Sequence, residues 1–189
     1  MFSSSSEIFG DQNKQLLNEN SKKKPQSPYA LTKLIGYEIV KSYRSMFNLP
    51  VFSIIFFNHE SILRGEKFIF KKISNYIKGG KYSKKIELGN LNIKRDWGSS
   101  EEYMKITYKI MNSKIVNDYI LATGQTTKLQ NIIKLFFKKK DMNYLKYIKI
   151  NKKFFRKFDI KENFADIKKL KRMINTFPKQ NYKNLIDLF

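Results

Sequence analysis

Tyr29 and Lys33 stand four residues apart, one helical turn, so on a helix both side chains occupy the same face. An ammonium beside a phenol favours the phenolate, and a tyrosine so tuned can take a proton from a sugar hydroxyl. Upstream, Ser5, Ser6 and Glu7 put hydroxyls and a carboxylate together in SSSSEIFG; downstream, Asn58 and His59 follow directly on an apolar run. In an open parallel sheet, ligands bind outside the carboxyl ends of the strands. With the serine run ending one strand and Asn58 just past another, these groups meet in one crevice suited to proton transfer. Plainer readings stand beside this one: SSSS as a flexible terminus, Glu7 as a solvated charge, His59 as a satisfied loop histidine. His59 is the lone histidine and cannot by itself build a histidine metal site, so no metal is expected.

The elements that must position these groups alternate between strand and helix. Val51 to Phe57 (VFSIIFF) is a short apolar run, the mark of a strand buried on both faces of a parallel sheet. Before it, Ser27 as N-cap and Pro28 in the first turn predict a helix over 28–47. Ile35, Ile39, Tyr43 and Phe47 recur every four residues along it and are expected to form its packed face. Ser99 with Glu102 makes a capping-box pattern that opens a helix carrying Tyr103, Ile106, Ile110 and Met111. Asp118 to Thr123 reads as a strand ended by Gly124. A third helix is expected from about Thr127 to Lys140, with Leu129, Ile132, Ile133 and Phe136 on its apolar face. Asn18 to Pro25 is polar and breaker-rich, hence a loop, and the tail from Asn163 reads as helical, interrupted by Pro178. Strands separated by helices of this length mean an α/β fold with mainly parallel pairing. No G-x-G-x-x-G pattern occurs anywhere.

Composition bounds the rest. The 189 residues are 41% hydrophobic and 15% aromatic, enough for a core, which excludes a wholly disordered chain. The formal charge of +22 invites an anionic partner. Yet only Arg44, Arg64, Arg95, Arg156 and Arg172 are arginines; the rest of the excess is lysine, abundant together with Asn, Ile, Phe and Tyr as AT-rich codons dictate. Most of it therefore reads as solvated surface, with no specific nucleic acid as partner. Without cysteine there is neither disulfide framework nor thiolate chemistry. No apolar run approaches the ~18 residues of a bilayer span, and no secretory signal is visible, so no membrane and a cytoplasmic location are expected.

The segments SSSSEIFG, SPYALTK, FNHES, RGEKF, LGNLNIKRDWG and DYILATG resemble, in order, the motifs of GDP-mannose 4,6-dehydratases of the extended short-chain dehydrogenase/reductase superfamily. The resemblance runs from about Ser3 to about Lys171. It implies the distal part of a Rossmann-like doubly wound parallel sheet plus a smaller α/β substrate-binding region. Residues 1–60 would be the distal NADP-binding part and residues 61–189 mostly the GDP-binding region, interleaved with it. It implies NADP as cofactor and GDP-mannose as substrate, converted to the 4-keto-6-deoxy sugar. By position Tyr29 matches the base for the 4-hydroxyl and Lys33 its tuning residue, which also holds the nicotinamide ribose. Ser5 matches a hydrogen-bonding partner of that hydroxyl, and Glu7 the carboxylate that removes the C5 proton. His59 and Arg64 match NADP contacts, while Asn58, Arg95 and Arg156 resemble positions that hold GDP.

Departures accompany the match. Ile62 and Leu63 replace a Pro and an Arg usual after FNHES, Ser99 stands where His is common, and Asp159 shortens a usual Glu. The family's Gly-rich turn and first strands precede the serine segment and are lacking here. The expectation is an enzyme portion, inactive alone, that works with an amino-terminal half in trans or as a homo-oligomer. Alternatives are another nucleotide-sugar dehydratase or epimerase, or a non-enzymatic basic binding protein.

Overall fold

A computed structural model describes all residues except 13–14, 81 and 156–158. In chain order the elements are β1 (Phe2–Ser5), a 3-10 turn (Ser6–Phe9), β2 (Leu16–Leu17), α1 (Pro28–Phe47), β3 (Ser53–Phe56), β4 (Asn58–Glu60) and α2 (Ile69–Gly79). Then come β5 (Ile86–Leu88), β6 (Lys94–Arg95), β7 (Trp97–Ser99), α3 (Ser100–Asn112), β8 (Tyr119–Leu121), β9 (Thr127–Lys128) and α4 (Leu129–Lys138). The chain closes with β10 (Ile148–Ile150), β11 (Phe164–Ala165), α5 (Lys168–Ile174) and α6 (Tyr182–Asp187).

β1, β3 and β8 form a parallel sheet in that order, with Ser5 opposite Phe56 and Ile55 opposite Ile120. Side chains alternate between its faces. Ile55, Phe57, Ile120 and Ala122 pack with Tyr37 of α1, whereas Ile54, Phe56, Tyr119 and Leu121 pack with Tyr103, Ile106 and Ile110 of α3. Burial on both faces is why these strands are continuous apolar runs rather than alternating ones. A separate core joins α2, α4 and α6 around Phe70, Trp97, Phe136, Phe137 and Phe189, forming the smaller α/β region.

α1 begins as its cap residues require: the Ser27 Oγ accepts from the Ala30 N–H at 3.1 Å, with Pro28 in the first turn. Its packed face is not the expected one. Ile35, Ile39, Tyr43 and Phe47 are 50–58% exposed, while Ala30 and Tyr37 are buried. The sheet side is instead held by polar ties, Arg44 bonding both oxygens of Asp118 at 2.9 and 2.6 Å. Gly36 lets the helix approach closely, since a Cβ there would lie 2.2 Å from the Phe2 ring.

Two other expectations are corrected. Ser99 sits at the N-cap of α3 without a side-chain cap hydrogen bond, and Glu102 accepts from the Lys179 N–H instead, so no capping box forms. Met111 is 55% exposed, although Tyr103, Ile106 and Ile110 are buried. The third helix is shorter than expected but buries Leu129, Ile132, Ile133 and Phe136. The tail contains β11 before its two short helices, pairing in parallel with β2.

The two sheet edges differ. At β8, the Ile120 N–H donates to the buried Glu19 carboxylate at 2.9 Å, so the Asn18–Pro25 loop closes that side. β1 pairs with β3 alone among the described strands.

Candidate functional site

β1 and the first turns of α1 are tied directly. The Lys33 ammonium donates to the Ser3 carbonyl at 2.9 Å, and the Ser4 hydroxyl donates to the Lys33 carbonyl at 3.4 Å. The same ammonium lies 5.8 Å from the centre of the Tyr29 ring. Tyr29 is half exposed. At the carboxyl end of β1 the chain turns sharply, and the Ser5 Oγ accepts the Glu7 N–H at 3.3 Å. Ser5, Glu7, Tyr29 and Lys33 are thus gathered around one strand end and one helix start. The arrangement offers a phenol beside a cation and a separate carboxylate, a pair of groups able to move two different protons.

The parallel register carries β3 alongside to Phe56, and the chain continues into β4 with Asn58 and His59, both half-buried. The His59 Nδ1 is 2.9 Å from the Phe57 carbonyl, and the ring lies 5.5 Å from Phe56 and 5.1 Å from Tyr103. A carbonyl only accepts, so Nδ1 carries the proton and Nε2 is left as an acceptor. Burial lowers the ring's affinity for a second proton, outweighing the pull of the Phe57 carbonyl, and Arg64 adds to the lowering. His59 is therefore neutral at pH 7.

The arginines are already engaged. Arg64 stacks on Phe68 at 3.7 Å and its Nε lies 3.4 Å from the buried Glu60 carboxylate, an ionic contact without a hydrogen bond. Burial pushes the Glu60 carboxyl up to about 7, against the opposing pull of Arg64. Arg95 donates to the Lys94 carbonyl at 2.8 Å and to Asp159 at 3.2 Å. Arg64 and Arg95 would each share their guanidinium with an acid when contacting phosphate. Arg156 lies outside the described residues.

Sequence reasoning missed Asp96. This buried carboxylate accepts from the N–H groups of Thr123, Gly124 and Gln125 and from the Thr123 hydroxyl, at 2.7–3.2 Å. It fixes the turn that leaves the carboxyl end of β8, where Gly124 adopts φ +78°. Burial raises the Asp96 carboxyl to about 6 despite those hydrogen bonds. Its sequence signal was its place beside Arg95 in the segment LGNLNIKRDWG. Among the described residues no group of three or more His, Cys, Asp or Glu gathers to hold a metal, and no helix is long and apolar enough to cross a membrane.

A protein-family model described as GDP-mannose 4,6 dehydratase matches residues 1–189. GDP-mannose 4,6 dehydratase of Drosophila melanogaster is 31% identical over 202 residues, covering 97% of this chain and 51% of the relative. Among solved structures, dTDP-glucose 4,6-dehydratase from Bacillus anthracis, in complex with NAD, superposes with a TM-score of 0.87 at 16% identity. It covers 98% of this chain and 60% of that one. RMD from Pseudomonas aeruginosa, complexed with NADPH, gives 0.84 at 17% identity, covering 97% and 62%. At such identities the structural likeness speaks for the fold alone. The chain spans about half the length of the curated relatives it matches.

Proposed function

The chain belongs to the GDP-mannose 4,6-dehydratase family, and from that premise we propose that it supplies the proton-transfer and sugar-binding part of such a dehydratase. The observation that carries this reading is the junction of β1 with α1, where Ser5, Glu7, Tyr29 and Lys33 are gathered. The bound sugar presents its 4-hydroxyl to Tyr29, steadied by Ser5, and Tyr29 takes that proton as the C4 hydride leaves. The resulting 4-ketone acidifies C5. Glu7 removes the C5 proton and delivers a proton to the departing 6-hydroxyl, which leaves as water. With a proton restored at C5 and the hydride that a bound cofactor would supply at C6, the product would be GDP-4-keto-6-deoxymannose, with water as the only other product.

Tyr29 and Lys33 would hold the nicotinamide ribose of NADP, with His59 and Arg64 as further contacts; its chemistry is to accept hydride from C4 and return it at C6. The donor set fits such a group. The Arg64 Nε is buried without a hydrogen-bond partner, a cationic donor suited to a phosphate or ribose oxygen, and the His59 Nε2 is an acceptor for a hydroxyl. Asn58, Arg95 and Arg156 would hold GDP.

The open edge of β1 is where a complementary amino-terminal segment would add its strands. The test is to co-express the chain with the amino-terminal segment of a matched dehydratase and assay GDP-mannose with NADP. The expected result is 4-keto product from the pair and none from this chain alone. Product from the chain alone would overturn the need for a complement. Product from dTDP-glucose but none from GDP-mannose would overturn the substrate.

A further inference from the structure

Arg64 is held by two contacts that leave its hydrogen-bonding capacity unspent. Its guanidinium lies 3.7 Å from the centre of the Phe68 ring, and its Nε lies 3.4 Å from the Glu60 carboxylate. Neither contact is a hydrogen bond, and Nε stays buried without one. Arg44 differs: it spends two nitrogens on Asp118, at 2.9 and 2.6 Å. Arg95 differs too, donating to the Lys94 carbonyl and to Asp159. The Arg64 side chain is 30% exposed and that of Glu60 only 3%. The cation therefore stands between solvent and a buried acid, one that the proton transfers assigned to Tyr29 and Glu7 do not use.

Few other charges bear on that acid. Alternation along β4 and β7 puts His59 and Gly98 on the Tyr103 side, and Glu60 with its pairing partner Ser99 on the other. β7 thus brings no charge to Glu60. The first-turn acids of α3 are engaged elsewhere, Glu101 with Lys105 at 2.6 Å and Glu102 with the Lys179 N–H at 3.2 Å. From α2, Lys71 donates to the Ile62 carbonyl at 3.0 Å and Lys72 to the Glu87 carbonyl at 2.7 Å. Glu66 and Lys67, in the turn before α2, are exposed. Burial pushes the Glu60 carboxyl up to about 7, and Arg64 is the charge that opposes it. An anion seated on Arg64 would draw on the same cation, and two negative charges beside one guanidinium, one of them out of water, are disfavoured. Resting on the assignment of Arg64 to the cofactor's anionic groups, we propose that Glu60 is the exchangeable counter-charge of Arg64. When a phosphate or diphosphate oxygen binds the guanidinium, the Glu60 carboxylate takes one proton from solvent, and it returns that proton when the anion leaves. The pair then stays neutral in both states: carboxylate against guanidinium when empty, oxyanion against guanidinium when filled. Anion affinity falls as pH rises above the Glu60 midpoint, because binding then has to bring a proton with it.

Labelling glutamate with carbon-13 lets the Glu60 carboxyl be titrated by NMR, its resonance identified by its absence from Glu60→Gln. A local readout is needed, because His59 also feels Arg64 and an anion will meet many of the 38 Lys and Arg. The probe is sulfate, an oxyanion that does not itself titrate near neutral pH. Against chloride at equal ionic strength, sulfate should raise the Glu60 midpoint by roughly one pH unit. In Arg64→Met the midpoint should already lie above the native one and should not move with sulfate. A native midpoint indifferent to sulfate, or one that moves as far in Arg64→Met, would overturn the proposal. In the chain co-expressed with its amino-terminal segment, NADP should raise the midpoint as sulfate does, and above pH 7 Glu60→Gln should bind NADP more tightly than the native protein. Weaker binding by Glu60→Gln there would overturn the exchange, since it would make Glu60 a support for the anion. A shift with sulfate but none with NADP would remove Arg64 from the cofactor and leave the exchange standing. Absence of dehydratase activity leaves the titration readable, so the two readings fail separately.

Discussion

Lys33 gives its ammonium proton to the carbonyl of Ser3, thirty residues earlier in the chain, at 2.9 Å. The residue expected to tune Tyr29 is therefore also a tether between helix and strand. Replacing it should cost both functions at once: Lys33→Met is expected to lose about 1 kcal/mol of stability along with turnover in the complemented enzyme. Tyr29→Phe removes one oxygen from a half-exposed ring and should shift stability by less than about 0.5 kcal/mol while abolishing the same turnover. Urea midpoints for the two variants check the contrast; a large loss for Tyr29→Phe would show that its hydroxyl is structural.

Glu7 and Tyr29 are assigned to different protons, so their variants should stall at different points. In the complemented enzyme, Glu7→Gln should still oxidise C4 but fail to exchange the C5 proton with deuterated solvent. Overall turnover should fall about 10²–10⁴-fold. Exchange at C5 that continues unchanged in Glu7→Gln would remove Glu7 from this role.

The Glu60 carboxyl is raised from an ordinary 4.5 to about 7 by burial, with Arg64 opposing. A raised acid keeps its proton in the folded chain after the unfolded chain has lost it. Its stabilising contribution is thus complete below about pH 4.5 and declines as pH rises through 7, by about 3 kcal/mol in total. His59, whose proton affinity is lowered, works in the opposite sense over part of that window. The informative quantity is therefore the difference between native chain and Glu60→Gln at each pH. Relative to the native chain, Glu60→Gln should gain stability steadily between pH 5 and 8 in urea unfolding. A constant difference across that range would mean that Glu60 is ionised throughout.

Local signals were legible in the sequence, and long-range ones were not. Ser27 and Pro28 announce the start of α1, and the apolar run of β3 follows from its burial on both faces. Tyr29, Lys33, Ser5 and Glu7 could be singled out by spacing and motif, and the strand end they share follows from parallel order. The buried side of α1 could not be read, because a four-residue apolar repeat marks any sticky face, whether it meets its own core or lies open. The true sheet side is written in Ala30, Gly36 and Tyr37 and in Arg44, whose partner Asp118 lies 74 positions away. The acids that occupy Arg64 and Arg95 were equally hidden. Glu60 is one turn from Arg64 in sequence but is identified only by its burial, and Asp159 lies 64 positions from Arg95.

Asp96 tests how far the strand-end turn depends on a single carboxylate. Its Oδ1 accepts from the Thr123 N–H and hydroxyl, and its Oδ2 from the Gly124 and Gln125 N–H groups. Asp96→Asn keeps the shape and one acceptor oxygen but turns the other position into a donor facing two donors. Each N–H left buried without a partner costs about 1–3 kcal/mol, so the variant should lose stability out of proportion to the single atom exchanged. Removing the charge also removes a burial penalty, and because Asp96 titrates near 6 when folded that relief grows as pH rises from about 4 to 6. The loss in Asp96→Asn should therefore be largest near pH 4, where a protonated Asp96 still needs only one donor reoriented, and smaller at pH 7. Urea midpoints at the two pH values read the difference directly. Equal stability of variant and native chain at both would mean that the 123–125 turn is held by something other than this carboxylate.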